Sequence, residues 1–306
     1  MNRNKPREWI SLMGNFETEG DKLICKGGVW SKDGLEDHPM VGMFLTEDIV
    51  SDGKVQVDVE FTGLEGFSLF DIVLSYNASN RHMMLAGIGS LGPMYQISKF
   101  ERTRELIAST GDGTNLKAGK IYSIEVVKEG SLVSLTVNGI KVVTATLPYV
   151  AEKSNIGIST MSRNDIVVHR FEVFSERPKA FVVMQFSDPY NQFYSEIIKD
   201  ICGKFGIQVK RADENFGTGM VIADIVNDIT ESTFIIADIS KDNPNVYYEI
   251  GYAHALNKPT IILAEKGTAL PFDISPFRVL FYENTIIGRG KFEEGLRGHL
   301  ESMIKS

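Results

Sequence analysis

The stretch that decides the fold is residues 234–264, FIIADISKDNPNVYYEIGYAHALNKPTIILA. Two apolar runs, Phe234–Ala237 and Thr260–Leu263, are separated by a polar turn and a helical segment. Continuous apolar runs joined by a helix are typical of a βαβ unit in a parallel sheet that is buried on both faces. The turn places Asp238 at the carboxyl end of a strand, and we expect Glu249 in the first turn of the helix. Ligands bind at this edge of open α/β sheets.

The charge balance of the chain bears on its partners and location. The 306 residues carry a formal net charge of −8, which argues against nucleic acid or an anionic membrane as the main partner. The polar amino end has no apolar segment typical of a secretion signal. The two cysteines, Cys25 and Cys202, show no disulfide framework or metal-binding spacing, so we expect both to be reduced. The sequence therefore predicts a cytoplasmic protein without a metal site.

Around the βαβ unit, residues 177–306 alternate between apolar strands and amphipathic helices. The proline-containing segment Ser175–Lys179 precedes this part and marks a boundary. The pattern gives five strands with helices between them. It predicts a flavodoxin-like, doubly wound α/β domain with a five-stranded parallel sheet.

Residues 1–176 have a different pattern, in which short segments alternate apolar and polar residues, as in Val55–Phe61 and Leu132–Val137. This period predicts half-buried strands. Asn138–Gly139 stands between two such runs and predicts a hairpin, because a type I′ turn needs positive φ at both positions. We therefore predict an all-β antiparallel jelly-roll sandwich. Residues 122–139 carry its resemblance to concanavalin-like and laminin-G-like sandwiches, including those of keto-disaccharide hydrolases, which implies a binding or assembly module.

The candidate site lies where the strands of the second domain end. The ligand-binding candidates there are Met184, Gln185, Phe186, Asp188, Tyr190, Arg211, Gly217, Gly219, Asn243, Asn245, Tyr248, Phe272 and Asp273. Carboxylates among aromatic side chains suit a ligand with a flat base and sugar hydroxyls. The glycines free backbone N–H groups for a phosphate or ribose edge, or they only form a tight turn. Glu249 is either a reacting carboxylate or an acid favoured by the helix dipole.

Residues 179–306 resemble the nucleoside 2-deoxyribosyltransferase-like proteins, a branch of the wider TIR-like superfamily. The matching motifs are Ile235–Asp238 and, above all, Tyr248–Tyr252, YEIGY. The resemblance implies that Glu249 is the catalytic carboxylate, as the nucleophile of a transferase or as the group with which TIR-like proteins cleave NAD. We expect Asp213 and Asp238 to hold the ribose hydroxyls.

One departure from the family affects the expected substrate. The transferases carry an acid six residues before the nucleophile, where this chain has Asn243. Nicotinamide leaves without protonation, whereas a neutral base needs a proton, so the departure favours NAD. We therefore expect an N-glycosidase that consumes NAD as substrate, needs no cofactor and acts in antiviral defence. The alternatives are a nucleotide sensor without turnover and a nucleoside 2-deoxyribosyltransferase. We expect the sandwich to drive homo-oligomerisation or to bind a protein or glycan-like ligand that controls the site.

Overall fold

The computed structural model describes residues 7–31, 37–147, 153–214 and 220–305. The chain divides into two compact units. The first is drawn from 1–128, 132–146 and 151–176, and the second from 129–131, 147–150 and 177–306. The main segment of the second unit thus begins within the proline-containing segment Ser175–Lys179. The functions assigned above to the two parts stay predictions.

The first unit is built from antiparallel strands. They are β1 (Trp9–Met13), β2 (Phe16–Glu19), β3 (Lys22–Cys25), β4 (Val29–Trp30), β5 (His38–Val50), β6 (Gly53–Phe61), β7 (Leu69–Asn77), β8 (His82–Gly89), β9 (Tyr95–Phe100), β10 (Arg104–Thr110), β11 (Ile121–Glu129), β12 (Leu132–Val137), β13 (Ile140–Thr146), β14 (Ser154–Ser162) and β15 (Ile166–Ser175). An eight-stranded sheet has the order β1-β5-β14-β7-β8-β9-β10, with β4 beside β5. A seven-stranded sheet has the order β13-β12-β11-β6-β15-β3-β2. The unit resembles a jelly-roll sandwich, as the sequence predicts.

The seven-stranded sheet follows the alternating pattern closely. Along β6, Val55, Val57 and Val59 are buried, while the residues between them are half-buried. The hairpin between β12 and β13 has Val137 opposite Ile140. Asn138 and Gly139 have φ of 50° and 79°, so both adopt the left-handed conformation of a type I′ turn. The predicted hairpin is confirmed.

The eight-stranded sheet departs from this pattern because both of its faces carry buried residues. Phe70 and Ile72 of β7 are fully buried on one face. Val73 points to the other face, since side chains alternate along a strand. There it joins a second apolar cluster with Met43, Leu45 and Leu85. A sheet buried on both faces has continuous apolar strands, which is why β7 does not alternate.

The second unit alternates strands and helices. Its elements are β16 (Lys179–Val183), α1 (Tyr190–Phe193), α2 (Lys199–Lys204), β17 (Gln208–Arg211), α3 (Val221–Glu231), β18 (Phe234–Asp238), α4 (Pro244–Ala255), β19 (Thr260–Glu265), β20 (Val279–Tyr282) and α5 (Ile286–Lys305). A π-helical turn, Tyr194–Ile198, joins α1 to α2. The strands form one parallel sheet in the order β17-β16-β18-β19-β20. The predicted five-stranded parallel sheet is present.

Two apolar clusters cover the opposite faces of this sheet. Ala180 and Val182 of β16 belong to the cluster that contains the aromatic residues of α1 and α5. Phe181 and Val183 belong to the cluster that contains the buried residues of α3 and α4. Successive residues of a strand face opposite sides, so the two clusters lie on opposite faces. No helix formed by the described residues is long and apolar enough to cross a membrane.

Candidate functional site

Glu249 lies deeper in its helix than the sequence predicts. Helix α4 begins at Pro244, so Glu249 is its sixth residue and lies in the second turn rather than the first. It shares the buried face of the helix with Val246, Ile250 and Ala253. Its side chain is only 8% exposed. The packing of α4 against the sheet therefore places a carboxyl group in an apolar environment.

No described residue bonds to the Glu249 carboxyl group. Burial, which disfavours the charged form, raises its pKa to about 7. A carboxylic acid with this pKa exchanges a proton near neutral pH, as a general acid or base must. The alternative role as a favourable acid at the helix amino end does not hold, because the first turn of α4 contains no acidic residue.

Asp238 ends β18 and is held by hydrogen bonds. The Tyr282 hydroxyl donates to its Oδ2 at 2.7 Å, and the Ser240 backbone N–H donates to its Oδ1 at 2.9 Å. Burial raises the pKa of Asp238 above its usual range even though these hydrogen bonds favour the ionised form. Tyr190 lies near Asp238. Burial raises the pKa of the Tyr190 hydroxyl, and the charges of Asp238 and Glu265 raise it further.

Arg211 and Asp213 form a second group. The guanidinium donates from Nε and Nη2 to the two Asp213 carboxylate oxygens, at 2.7 and 2.6 Å. It also lies over the rings of Phe186 and Tyr194, 5.1 and 4.3 Å from their centroids. Its Nη1 is buried without a partner among the described residues. This cation is therefore fixed on one side by charge and on two sides by aromatic faces.

Asn243 joins the ends of two strands. Its Nδ2 donates to Gln185 Oε1 at 2.8 Å, and its Oδ1 accepts from the Asn245 backbone N–H at 3.0 Å. The second bond caps the amino end of α4. The residue that departs from the transferase pattern thus sets where the helix carrying Glu249 begins.

The other predicted ligand-binding residues differ in exposure. Met184 and Tyr190 are buried in the core of the unit. The exposed members are Phe186, Asp188, Asn245, Tyr248, Phe272 and Asp273. Gly217 and Gly219 lie outside the described residues.

The three predicted catalytic residues do not form one bonded cluster. In the described parts of the chain, no hydrogen bond or ion pair joins Glu249 to Asp213 or to Asp238. Neither carboxylate is among the causes of the raised pKa of Glu249. The described residues also contain no group of His, Cys, Asp and Glu arranged to hold a metal ion. The role of these residues stays a prediction.

A row of aromatic and polar residues that the sequence does not predict as a site lies on the second face of the eight-stranded sheet. Tyr76, Met83, Phe100 and Arg104 are successive cross-strand partners over β7, β8, β9 and β10. They therefore form one row on a single face. Ser98, two residues before Phe100 in β9, points to the same face.

Arg104 reaches across this face to a buried acid. Its Nη1 and Nη2 donate to the two carboxylate oxygens of Asp71 at 2.6 and 2.8 Å, and the Asp71 side chain is fully buried. Three strand spacings separate β10 from β7, about 14 Å in a flat sheet. The two side chains can meet only if the sheet curls toward this face, which makes the face concave.

Two polar atoms of this concave face have no partner among the described residues, Arg104 Nε and Ser98 Oγ. Buried polar atoms are nearly always hydrogen-bonded, so unpaired ones mark a place for water or a ligand. The sequence contains one signal for this site. Asp71 is the only charged residue of the apolar run Phe70–Leu74, and a buried carboxylate requires a partner.

Comparisons with known proteins find similarity at the level of the fold. No family model matches the chain, and no curated protein matches it. A carbohydrate-binding module from Bacillus subtilis is 13% identical, with a TM-score of 0.45 over 55% of this chain and 95% of its own. A β-glucanase from Bacillus licheniformis is 11% identical, with a TM-score of 0.40 over 57% and 95%. The laminarinase catalytic domain from Thermotoga maritima is 9% identical, with a TM-score of 0.42 over 55% and 91%.

These comparisons correct the predicted function. The similar structures are named as a carbohydrate-binding module and glycoside hydrolases, and none of those named is an enzyme of NAD. The predictions of NAD hydrolysis and of an antiviral role are wrong. With them we withdraw nucleotide sensing and deoxyribosyl transfer. No comparison supports a TIR-like or deoxyribosyltransferase-like second unit, a nucleotide ligand or self-association. The motif YEIGY was too short to carry an activity, since the same fold hosts many functions.

Proposed function

We propose that the first unit binds a carbohydrate on the concave face of its eight-stranded sheet. The observation that carries the proposal is Arg104, whose side chain is 24% exposed on this face and is held by the fully buried Asp71 carboxylate. A guanidinium fixed by a bidentate carboxylate is a rigid donor, and sugar hydroxyls accept from such donors. A sugar also presents apolar C–H faces, for which half-exposed Tyr76 and Phe100 offer aromatic surface.

Soluble polysaccharides test this proposal. We expect β-1,3-1,4-glucan or β-1,3-glucan to retard the full chain in affinity electrophoresis. Phe100→Ala removes a half-exposed aromatic surface of this face and should weaken retention about fivefold, the value of one aromatic contact of about 1 kcal/mol. Ser123→Ala, on an exposed position of β11, is the matched control and should bind like the parent chain. Retention that is absent, or equal in both variants, would refute the proposed face.

We propose for the second unit the finer description of a flavodoxin-like domain with a site at the carboxyl edge of its sheet. The strand order β17-β16-β18-β19-β20 supports this, because β16 and β18, which lie side by side, are followed by helices on opposite faces. Ligands of such sheets bind at this switch point. The ends of β16 and β18 contribute Gln185 and Asn243, which bond to each other.

A second candidate function is hydrolysis of a glycosidic bond in a carbohydrate, with Glu249 as the proton donor. The observation that favours it is the burial of Glu249 on α4, where the side chain is 8% exposed and bonded to no described residue. Burial raises its pKa to about 7, and a glycosidase needs a carboxylic acid that is protonated at its working pH. We expect the chain to release reducing ends from a susceptible glucan and Glu249→Gln to abolish this release. Release at the same rate by the variant would exclude Glu249 from the reaction.

A further inference from the structure

An aromatic cavity of the second unit lies away from Glu249. It has a volume of about 410 Å³ and is lined by residues that follow β16, β19 and β20 and by the start of α5. Its aromatic residues Tyr190, Tyr282 and Phe292 belong to the core cluster on one face of the sheet. Helix α4, which carries Glu249, packs on the other face. The cavity is therefore a separate site, of a size that small ligands occupy.

The aromatic wall of the cavity is held rigidly. Phe193 stacks on Tyr282 with a centroid distance of 4.6 Å, and Phe292 lies 4.9 Å from Phe193. The Tyr282 hydroxyl bridges Asp238 and Ser240, at 2.7 and 3.0 Å. These hydrogen bonds fix the orientation of the Tyr282 ring, and the residue lines the cavity. Aromatic faces attract cations through their quadrupole.

Tyr190 leaves a polar group unused at this wall. The residue is 6% exposed and lines the cavity, and its hydroxyl has no hydrogen-bond partner among the described residues. Glu265 also lines the cavity, and no described side chain bonds to its carboxylate. A half-buried carboxylate beside a buried phenol oxygen is an unoccupied pair of acceptors.

The residues that line the cavity carry more negative charges than positive ones. Glu265 and buried Asp238 both act electrostatically on Tyr190. Among the described residues that line the cavity, Arg289 is the one cation, and its Nε already donates to Glu293 at 2.9 Å. Glu196 and Asp200 act on Arg289 as well. Of the three glutamates that line the cavity, Glu283 is paired with Lys266, whereas no described residue forms an ion pair with Glu265.

We propose that this cavity binds a small organic cation of the alkylammonium class. The aromatic wall of Phe193 and Tyr282 would face the alkyl groups around the nitrogen, and the Glu265 carboxylate would balance the charge. The Tyr190 hydroxyl would meet a polar group of the same ligand. A desolvated ammonium is attracted electrostatically to the faces of aromatic rings. This site is independent of the proposed carbohydrate face and of Glu249.

Choline and its neutral isostere 3,3-dimethylbutan-1-ol form a matched pair of probes. The two have the same shape and differ in the charge at one atom. We expect calorimetry of the full chain to show saturable choline binding at millimolar concentration or below, and binding of the neutral alcohol to be at least about tenfold weaker. Absent choline binding, or equal affinity for both probes, would overturn the proposal.

Glu265→Gln removes the negative charge of this side chain and leaves the shape of the cavity nearly unchanged. The Glu265 side chain has no hydrogen bond to lose, so the variant should unfold at the temperature of the parent chain. It should bind choline about tenfold more weakly and bind the neutral alcohol unchanged. Glu294→Gln, at an exposed position of α5 that does not line the cavity, is the control and should bind choline like the parent. Unaltered choline affinity in Glu265→Gln would also overturn the proposal.

Discussion

The two units bury a carboxyl group in opposite ways. In the sandwich, Asp71 is fully buried and is neutralised by the bidentate Arg104 guanidinium. In the α/β unit, Glu249 is almost as buried, has no described partner and instead has a raised pKa of about 7. Pairing keeps a charge in the interior, whereas protonation removes it. The ion pair fixes the geometry of the Asp71 and Arg104 side chains, whereas Glu249 keeps a proton that it can exchange.

Breaking the pair should have the largest effect. Arg104→Ala leaves the Asp71 carboxylate buried without its cation, and we expect a loss of about 3–5 kcal/mol in the free energy of unfolding. Urea denaturation followed by tryptophan fluorescence and circular dichroism measures it. The double variant Asp71→Leu with Arg104→Met replaces both charges by apolar groups and should recover most of the loss. If the single variant is as stable as the double variant, leaving the Asp71 carboxylate without its cation does not lower the free energy of unfolding.

The raised pKa of Glu249 predicts that the free energy of unfolding falls as pH rises. The folded chain favours the protonated acid, so this group contributes full stability below its ordinary pKa of 4.5 and lowers stability as pH rises toward about 7. The total change is about 3 kcal/mol. Glu249→Gln cannot ionise, so it should be more stable than the parent at about pH 8.5 and nearly equal at about pH 4. A constant difference across this range would contradict the raised pKa.

Substitution of Asn243, which caps the helix that carries Glu249, should have a smaller effect on stability. Asn243→Ala removes the cap of α4 and the bond to Gln185, and we expect a loss of about 1 kcal/mol. Asn243→Asp keeps an oxygen that accepts from the Asn245 N–H, so it should retain most of the stability. Thermal unfolding at neutral pH compares the two. Equal losses in both variants would show that the amide donor to Gln185, and not the cap, matters.

The exposed pair of Lys204 and Asp200 should have the smallest effect. These side chains are both about half exposed and lie four residues apart on α2. Water screens such a pair, so Lys204→Gln should cost at most about 0.5 kcal/mol. The loss should vanish in high salt. A loss as large as that of Arg104→Ala would remove the distinction between buried and exposed pairs.

The sequence could predict the parts of the fold that depend on local pattern. The alternation in β6 predicts its half-buried strand, and Asn138–Gly139 predicts its turn, because each depends on neighbours in the chain. The five-stranded parallel sheet follows from its apolar runs. Helix α4 begins two residues earlier than the pattern indicates, because the Asn243 side chain caps it and Pro244 occupies its first turn.

The sites were harder to predict because they depend on long-range contacts. Arg104 and Asp71 lie 33 residues apart and meet only because the sheet curls. The cavity near Tyr190 depends on the stacking of Phe193 from α1 against Tyr282 from β20, which no local motif encodes. Glu249 could be chosen from the sequence as a buried acid, but its ligand could not.

The pairing of β6 with β15 has a consequence for how the chain is made. Glu60 and His169, which bond across these strands, are 109 residues apart. At about 5–20 residues per second, a ribosome needs about 5–20 s to add the intervening chain. During that time β6 lacks β15, and until β11 is made it lacks both of its neighbours, so it presents an unpaired edge to other nascent chains. The half-exposed polar and charged residues Lys54, Gln56, Asp58 and Glu60, which alternate along that edge, would keep it from pairing wrongly until β15 emerges.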